Sequence, residues 1–170
     1  RRGGKKPGSL NNVFNEIQRT FPGIRLEHYD LTSWAQQGVL LLNTCLTVTQ
    51  GSPDSHVKER VWNDFIDLVL RAICEYKPGT IFCLWGARAK AYASGSNPPI
   101  NSKKCVVLEC GHPSSLNTSS ASTFKENNHF AYIYFEIQRR NEEIYKQNLI
   151  LEREGKQLFP YIDQIDWTLI

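Results

Sequence analysis

The chain has 170 residues, of which 41% are apolar, so it can bury a hydrophobic core and is predicted to form one domain over residues 1–170. Its net charge of +3 excludes a strongly basic or acidic chain, although Lys103, Lys104 and the basic residues within 1–6 could attract a polyanion. No Cys-x-x-Cys pair, signal peptide or 18-residue apolar span is evident, which predicts a soluble, intracellular protein with reduced cysteines.

The N-terminal third of the sequence predicts two helical segments followed by a buried strand. Ser9 can cap the first helix and Pro22-Gly23 ends it, with an apolar face formed by Leu10, Val13, Phe14 and Ile17. A short helical turn is predicted over residues 30–37. Residues 39–46 are almost continuously apolar, as a strand buried in a parallel sheet is, and a turn follows at residues 51–54.

The rest of the chain predicts helices that alternate with strands. The predicted helices cover residues 55–76, 86–93 and 128–155, and the predicted strands cover residues 80–85 and 104–110. Residues 117–123 are rich in Ser and Thr and predict a loop. Strand, helix, strand, helix, strand in this order indicates an α/β fold with a parallel sheet.

Two polar side chains stand at the carboxyl ends of predicted strands. Asn43 ends the leucine run of the first strand, and His112 follows the strand at residues 104–110 after a turn at Gly111. Ligands of open α/β sheets bind outside the carboxyl ends of the strands. The sequence therefore predicts that Asn43 and His112 belong to one site.

Six short motifs that extend over nearly the whole chain resemble those of family 1 uracil-DNA glycosylases. They are Gly38-Val39-Leu40-Leu41-Leu42-Asn43, Ser55-His56 with Lys58-Glu59-Arg60 and Trp62, Leu84-Trp85-Gly86, His112-Pro113-Ser114, His129-Phe130 and Ile165-Asp166-Trp167. The resemblance implies a three-layer α/β sandwich with a central, mainly parallel sheet. It also implies hydrolysis of the N-glycosidic bond of flipped-out deoxyuridine, which leaves an abasic site for base excision repair, with no metal or organic cofactor.

Asn43 and His112 match the family residues that read uracil and stabilise it as it leaves. An Asn amide offers one acceptor and two donors, which suit uracil N3–H and O4 together. His112 would donate a hydrogen bond to uracil O2 as negative charge develops on the base. Without the resemblance, Asn43 could equally finish a strand by bonding to backbone. A half-buried histidine bonded to a neighbouring carbonyl is the alternative for His112, and it is the expected state of His28, His56 and His129.

The resemblance also carries a set of expected DNA contacts. The residues that match them are Pro7, Ser9, Gly86, Ala87, Ser114, Ser115 and Leu116. Leu116 matches the leucine that fills the space left by the flipped nucleotide, and Ser9 and Ser114 would hold phosphates. Ala87 stands where the family has Ser, Ser115 replaces a common proline, and Lys5, Lys6 and Gly8 replace prolines. These departures predict weaker clamping of DNA and unchanged chemistry.

The family's Gly-Gln-Asp-Pro-Tyr-His loop is absent from the sequence, which also contains no methionine. In the family, the Asp of this loop positions the attacking water and its Tyr excludes thymine. We therefore expect the N-terminal part of the fold to be missing, the 170 residues to be catalytically deficient alone, and the activity to belong to the parent protein. The helix at residues 128–155 is longer than its family counterpart, and its charged face is expected to be solvated.

Two other functions were considered. A glycosylase-derived module could bind DNA or a replication factor without excising a base, and the weakened phosphate contacts favour this alternative slightly. An unrelated nucleotide-binding domain would need a G-x-G-x-x-G or G-K-[ST] loop, which the sequence lacks. We expect a monomer that acts on uracil-containing DNA, single- or double-stranded, without a membrane. A eukaryotic or viral source would place it in the nucleus and a bacterial source in the cytoplasm, and replication or repair proteins are further candidate partners.

Overall fold

The computed structural model describes residues 8–52, 54–114 and 123–170. These residues divide into two compact units, one formed by the chain up to Val39 together with Asn128–Ile170 and one by Leu40–Asn127. In chain order the elements are α1 (Gly8–Thr20), α2 (Thr32–Gln36), α3 (Ser55–Lys58), α4 (Asn63–Tyr76), β1 (Ile81–Trp85), α5 (Ala87–Lys90), a 3₁₀ turn (Ala91–Ala93), β2 (Val106–Cys110) and α6 (His129–Arg153). The single domain expected from the sequence stays a prediction.

The first unit is built around two tryptophans. Trp34 of α2 is almost fully buried, and its ring meets that of Trp167 edge to face with centroids 5.3 Å apart. The Trp34 indole N–H also donates to the Trp167 carbonyl at 3.1 Å, so the ring buries no unpaired polar atom. The predicted helices α1, α2 and α6 are confirmed, although α1 begins at Gly8 and Ser9 lies inside the helix instead of capping it.

After α6 the chain returns along that helix and is held there by two asparagines. Asn148 exchanges a pair of hydrogen bonds of 2.8 and 2.9 Å with the backbone of Phe159, and Asn141 does the same with Ile162 at 2.8 Å. Seven helical residues span roughly 10 Å, and so do three extended ones. The spacing of the two asparagines on α6 therefore matches the spacing of the backbone groups that they bind.

The second unit contains the sheet. β1 and β2 are parallel, in a register that runs from Ile81 opposite Val106 to Trp85 opposite Cys110. One face of this pair packs against α4 in a core formed by Ile66, Leu70, Cys74, Leu84, Ile100 and Cys105. The predicted α/β class with a parallel sheet is thus confirmed, and so are the predicted strands at residues 80–85 and 104–110, the second starting later at Val106.

The predicted strand at residues 39–46 is wrong. This segment is irregular and pairs with neither β1 nor β2, and Leu40 is 64% exposed. Of its leucines, Leu42 is the one that packs against the core of the second unit. An apolar run specifies burial but not a hydrogen-bonding partner, and without a neighbouring strand such a run does not form a ladder.

The predicted helix at residues 55–76 is interrupted. α3 ends at Lys58 and α4 begins at Asn63, with Arg60 in the left-handed region at φ 56° between them. The apolar residues that pack against the sheet start only at Trp62. Because α3 contributes no residue to this packed face, the core does not hold α3 in line with α4.

In the part of the chain that the structure describes, no helix is long and apolar enough to cross a membrane.

Glu136 on α6 is a buried carboxylate held by two arginines. Arg139 makes two hydrogen bonds of 2.8 Å to it and Arg140 makes one of 2.9 Å. The hydrogen bonds from Arg139, followed by those from Arg140, lower the pKa of Glu136 from 4.5 to about 2 despite its burial. Because the folded pKa lies below the ordinary value, this ion pair stabilises the fold fully above pH 4.5 and is lost as the pH falls towards 2.

We therefore predict that Glu136→Gln lowers the free energy of unfolding at pH 7 by roughly 2 kcal/mol, since it leaves two arginines without their carboxylate. The variant should also lose stability less steeply than the parent chain between pH 4.5 and 2. Urea denaturation across this pH range measures both effects. Glu142→Gln, an exposed change on the same helix, is the matched control, and equal pH profiles for the two variants would contradict the prediction.

Candidate functional site

The carboxyl ends of β1 and β2 bring Gly86 and His112 together. The Gly86 N–H donates to the Cys110 carbonyl at 3.0 Å, which extends the strand pairing by one residue. Gly86 has φ 96°, and a Cβ placed on it would lie 3.0 Å from the His112 Cβ. This position therefore requires glycine for its backbone conformation and for the close approach of His112.

The ring of His112 is exposed and oriented by the loop that follows it. The backbone N–H of Ser114 lies 3.0 Å from His112 Nδ1. A backbone N–H can only donate, so Nδ1 accepts and the ring proton resides on Nε2. The local fold thus presents Nε2–H as a hydrogen-bond donor at the strand ends.

Asn43 lies in the same unit, on the irregular segment that replaces the predicted strand. Its side chain is exposed, and within the described residues its amide makes no hydrogen bond. The alternative in which Asn43 finishes a strand by bonding to backbone is therefore not what the structure shows. The amide group keeps its acceptor and both donors available for a ligand.

A polar network that the sequence analysis missed follows Asn43 along the chain. His56 was expected to bond to a carbonyl, but its two ring nitrogens lie 2.7 Å from Thr47 Oγ1 and 3.1 Å from Thr49 Oγ1. Trp62 Nε1–H donates to Thr47 Oγ1 at 2.7 Å. The spacing of Thr47, His56 and Trp62 carried no recognisable signal because the three meet only in the folded chain.

For His28 the expected carbonyl partner is confirmed, at Ile170.

A cavity of about 430 Å³ lies beside this network in the second unit. It is lined by Thr44, Cys45, His56, Arg60, Trp62 and Arg88, among others. Arg88 forms an ion pair of 3.1 Å with Asp54, and both groups are exposed. The Arg88 hydrogen bond lowers the pKa of Asp54, and the same bond raises that of Arg88, so both groups keep their charge.

The structure describes some of the predicted DNA contacts and not others. The Gly86 N–H is already bonded within the sheet, whereas Ala87 is exposed at the start of α5 and Ser114 lies two residues after His112. Ser9 lies in α1, in the first unit. Pro7, Ser115 and Leu116 lie outside the described residues. The DNA-contacting roles of all these residues stay predictions.

No metal centre is formed by the described part of the chain. Among residues 8–52, 54–114 and 123–170, no group of three or more His, Cys, Asp or Glu side chains is placed to hold a metal ion. Burial raises the pKa of the Cys83 thiol on β1 to about 12, so this cysteine stays protonated near neutral pH.

Comparison with known proteins gives a consistent match. Residues 3–138 match the family described as the Uracil DNA glycosylase superfamily. The chain is 42% identical over 123 residues to uracil-DNA glycosylase of Acinetobacter baumannii (strain AYE), which covers 72% of this chain and 50% of that protein. It is 37% identical over 138 residues to that of Borrelia duttonii (strain Ly), covering 81% and 59%. The chain therefore spans half of the first relative and somewhat more of the second.

Solved structures show the same fold. The crystal structure of mimivirus uracil-DNA glycosylase matches with a TM-score of 0.60 at 22% identity, covering 96% of this chain and 55% of that one. A mimivirus UNG variant in complex with UGI matches with a TM-score of 0.57 at 21% identity, covering 91% and 56%. At these identities the likeness establishes the uracil-DNA glycosylase-like α/β fold.

The contact between Gly86 and His112 can be tested with a matched pair of glycines. Gly86 and Gly95 both have φ 96°, but a Cβ on Gly95 would have no atom within 4 Å. We predict that Gly95→Ala lowers the free energy of unfolding by about 1 kcal/mol, from backbone strain alone. Gly86→Ala should cost roughly 1–3 kcal/mol more, because the Cβ collides with His112.

Denaturant unfolding measures this difference, and the NMR resonances of the His112 ring report its displacement. They should shift in Gly86→Ala and stay unchanged in Gly95→Ala. Equal losses of stability in the two variants, or an undisturbed His112 ring in both, would show that the close approach does not hold the histidine in place.

Proposed function

The chain belongs to the uracil DNA glycosylase superfamily, and on that premise we propose that the whole protein hydrolyses the N-glycosidic bond of deoxyuridine in DNA. The products are free uracil and an abasic site, which begins base excision repair. The observation that carries this proposal is the fixed Nε2–H donor of His112 at the strand ends. A hydrogen-bond donor of this kind would stabilise the negative charge that develops on uracil O2 as the base leaves.

Recognition of the base falls to Asn43. Uracil is inaccessible inside a stacked duplex, so the nucleotide leaves the helix before it reacts, at a cost of roughly a few kcal/mol. The Asn43 carbonyl oxygen would accept from uracil N3–H, and its amino group would donate to O4. Cytosine presents an acceptor at N3 and a donor at N4, the reverse of this pattern, so the Asn43 amide favours uracil.

Departure of the base is assisted by His112. When the bond between N1 of uracil and the sugar breaks, the electron pair stays on the base and negative charge spreads to O2. A donor already oriented towards O2 stabilises that charge without reorganising during the reaction. The Ser114 N–H at Nδ1 and the glycine at position 86 provide this orientation.

The DNA backbone would be held by short polar groups around the strand ends. Ser114 and the amide of Ala87 lie near His112 and Gly86 in sequence, and Ser9 is a further proposed phosphate contact. Such groups contact phosphates closely, with little side-chain entropy to lose. Leu116 would occupy the space of the flipped nucleotide. We propose a monomer that acts in the nucleus if its source is eukaryotic or viral and in the cytoplasm if its source is bacterial, with replication or repair proteins as candidate partners.

The proposal is tested by incubating the whole protein with single-stranded DNA that contains one deoxyuridine and measuring released uracil. We predict release by the parent protein and a fall in kcat of about 10²- to 10³-fold in His112→Ala, the loss typical of removing one donor to a developing charge. His28→Ala, which changes a half-buried histidine of the first unit bonded to Ile170, should keep full activity. DNA binding by the whole protein with no uracil release would favour the non-excising module instead.

The 170 residues alone are expected to behave differently from the whole protein. These 170 residues contain no Gly-Gln-Asp-Pro-Tyr-His segment, and therefore no residue that matches the family's water-positioning Asp. General acid and base groups contribute about 10²- to 10⁴-fold in rate, so we predict at least this deficit for the isolated chain in the same assay. Rapid uracil release by these 170 residues would overturn this expectation.

A further inference from the structure

The segment that carries Asn43 is not held by its own backbone. Within the described residues, the Val39 N–H bonds to the Trp34 carbonyl and the Thr49 carbonyl accepts from Ser52, but residues 40–48 between them make no backbone-to-backbone hydrogen bond. A strand would fix Asn43 through a ladder, and this segment has none. Side chains must therefore determine where Asn43 stands.

Two side-chain anchors flank Asn43. On its N-terminal side Leu42 is half-buried and packs against the core of the second unit. On its C-terminal side the hydroxyl of Thr47 receives the Trp62 indole N–H at 2.7 Å and lies 2.7 Å from His56 Nδ1. One hydroxyl thus joins the segment to both α3, which carries His56, and the residue just before α4.

Neighbouring bonds strengthen the second anchor. The other ring nitrogen of His56 lies 3.1 Å from Thr49 Oγ1, and the Thr49 N–H donates to Ser55 Oγ at 2.9 Å. The thiol of Cys45 donates to the Thr47 carbonyl at 3.2 Å. A hydroxyl both donates and accepts, so the neutral His56 ring is satisfied at both nitrogens in either tautomer.

The anchor rests on a fixed support. Trp62 packs against the core of the second unit, and its ring meets that of Phe65 edge to face with centroids 5.7 Å apart. The cavity lined by Thr44 and Cys45 leaves this part of the segment without close packing on that side. Hydrogen bonds to Thr47, more than packing, therefore fix the chain between Asn43 and Thr49.

We propose that Thr47, bonded to His56 and Trp62, is a positioning residue that holds Asn43 in the orientation needed to read the base. The inference rests on the role of Asn43 in the proposed function and adds a specificity determinant remote from the base itself. The proposal requires that any effect of Thr47 on catalysis passes through Asn43. This dependence distinguishes it from a residue that only stabilises the fold.

The test compares uracil release by the whole protein carrying Thr47→Val or Thr47→Ser. Valine has the shape of threonine without the hydroxyl and leaves Trp62 Nε1 and His56 Nδ1 unpaired, whereas serine keeps the hydroxyl. We expect kcat/KM to fall about 5- to 10-fold for Thr47→Val and to change less than about 2-fold for Thr47→Ser, the effect of losing one to two hydrogen bonds. Val48→Ala, an exposed change on the same segment, is the matched control and should keep full activity.

A double-mutant cycle shows whether Thr47 acts through Asn43. In the Asn43→Ala background, Thr47→Val should cause no further loss of kcat/KM, because the side chain that it positions is gone. A loss of the same size in both backgrounds would assign Thr47 a general structural role and overturn the proposal. Activity of Thr47→Val equal to that of the parent protein would overturn it as well.

A measurement that needs no activity separates this proposal from the proposed function. Nitrogen-15 relaxation of the Asn43 backbone amide should show a lower order parameter in Thr47→Val than in Thr47→Ser or the parent protein. If the parent protein releases no uracil, the proposed function fails, and the order parameter still decides whether Thr47 holds Asn43. Identical order parameters in the three proteins would overturn the positioning role.

Discussion

The contact between the Gly86 backbone and the His112 side chain is the constraint on which the site depends. It arises because β1 and β2 are parallel and in register, so that both strands end at the same edge of the sheet. A Cβ at position 86 would lie 3.0 Å from the His112 Cβ, which leaves room only for glycine. The pairing of two five-residue strands thus sets the position of the His112 imidazole. The Ser114 N–H donates to Nδ1 of that ring, which leaves Nε2–H as its hydrogen-bond donor.

Asn43 and His112, the two residues proposed to bind uracil, are held by different kinds of interaction. His112 follows a strand, and its position is set by a hydrogen-bonded ladder and a steric contact. Asn43 belongs to an irregular segment without backbone hydrogen bonds among the described residues, and Leu42 and Thr47 secure it through packing and a hydroxyl group. If the proposed roles hold, base reading would depend on side chains such as Leu42 and Thr47 that flank Asn43, whereas stabilisation of the leaving base would depend on the sheet.

Local periodicity was sufficient to predict most of the elements. α1, α4, α6 and both strands carry apolar residues at the spacing of their own structure, and each forms close to where that spacing begins and ends. The errors arose where the hydrophobic pattern does not specify which other element the segment packs or pairs with. The apolar run at residues 39–46 resembles a buried strand, but a strand also needs a neighbour. The predicted helix at residues 55–76 breaks at Arg60 because its apolar stripe starts only at Trp62.

The sequence by itself determined the α/β class, the parallel strands and the residue types of the site, because each follows from local spacing or from motifs resembling a known family. Asn43 and His112 could both be named from the chain alone. Only the tertiary structure decided that Gly86 supports His112 and that Thr47 meets His56 and Trp62. These contacts join residues 9 to 26 positions apart, and their geometry depends on how helices and strands pack, which no local pattern encodes.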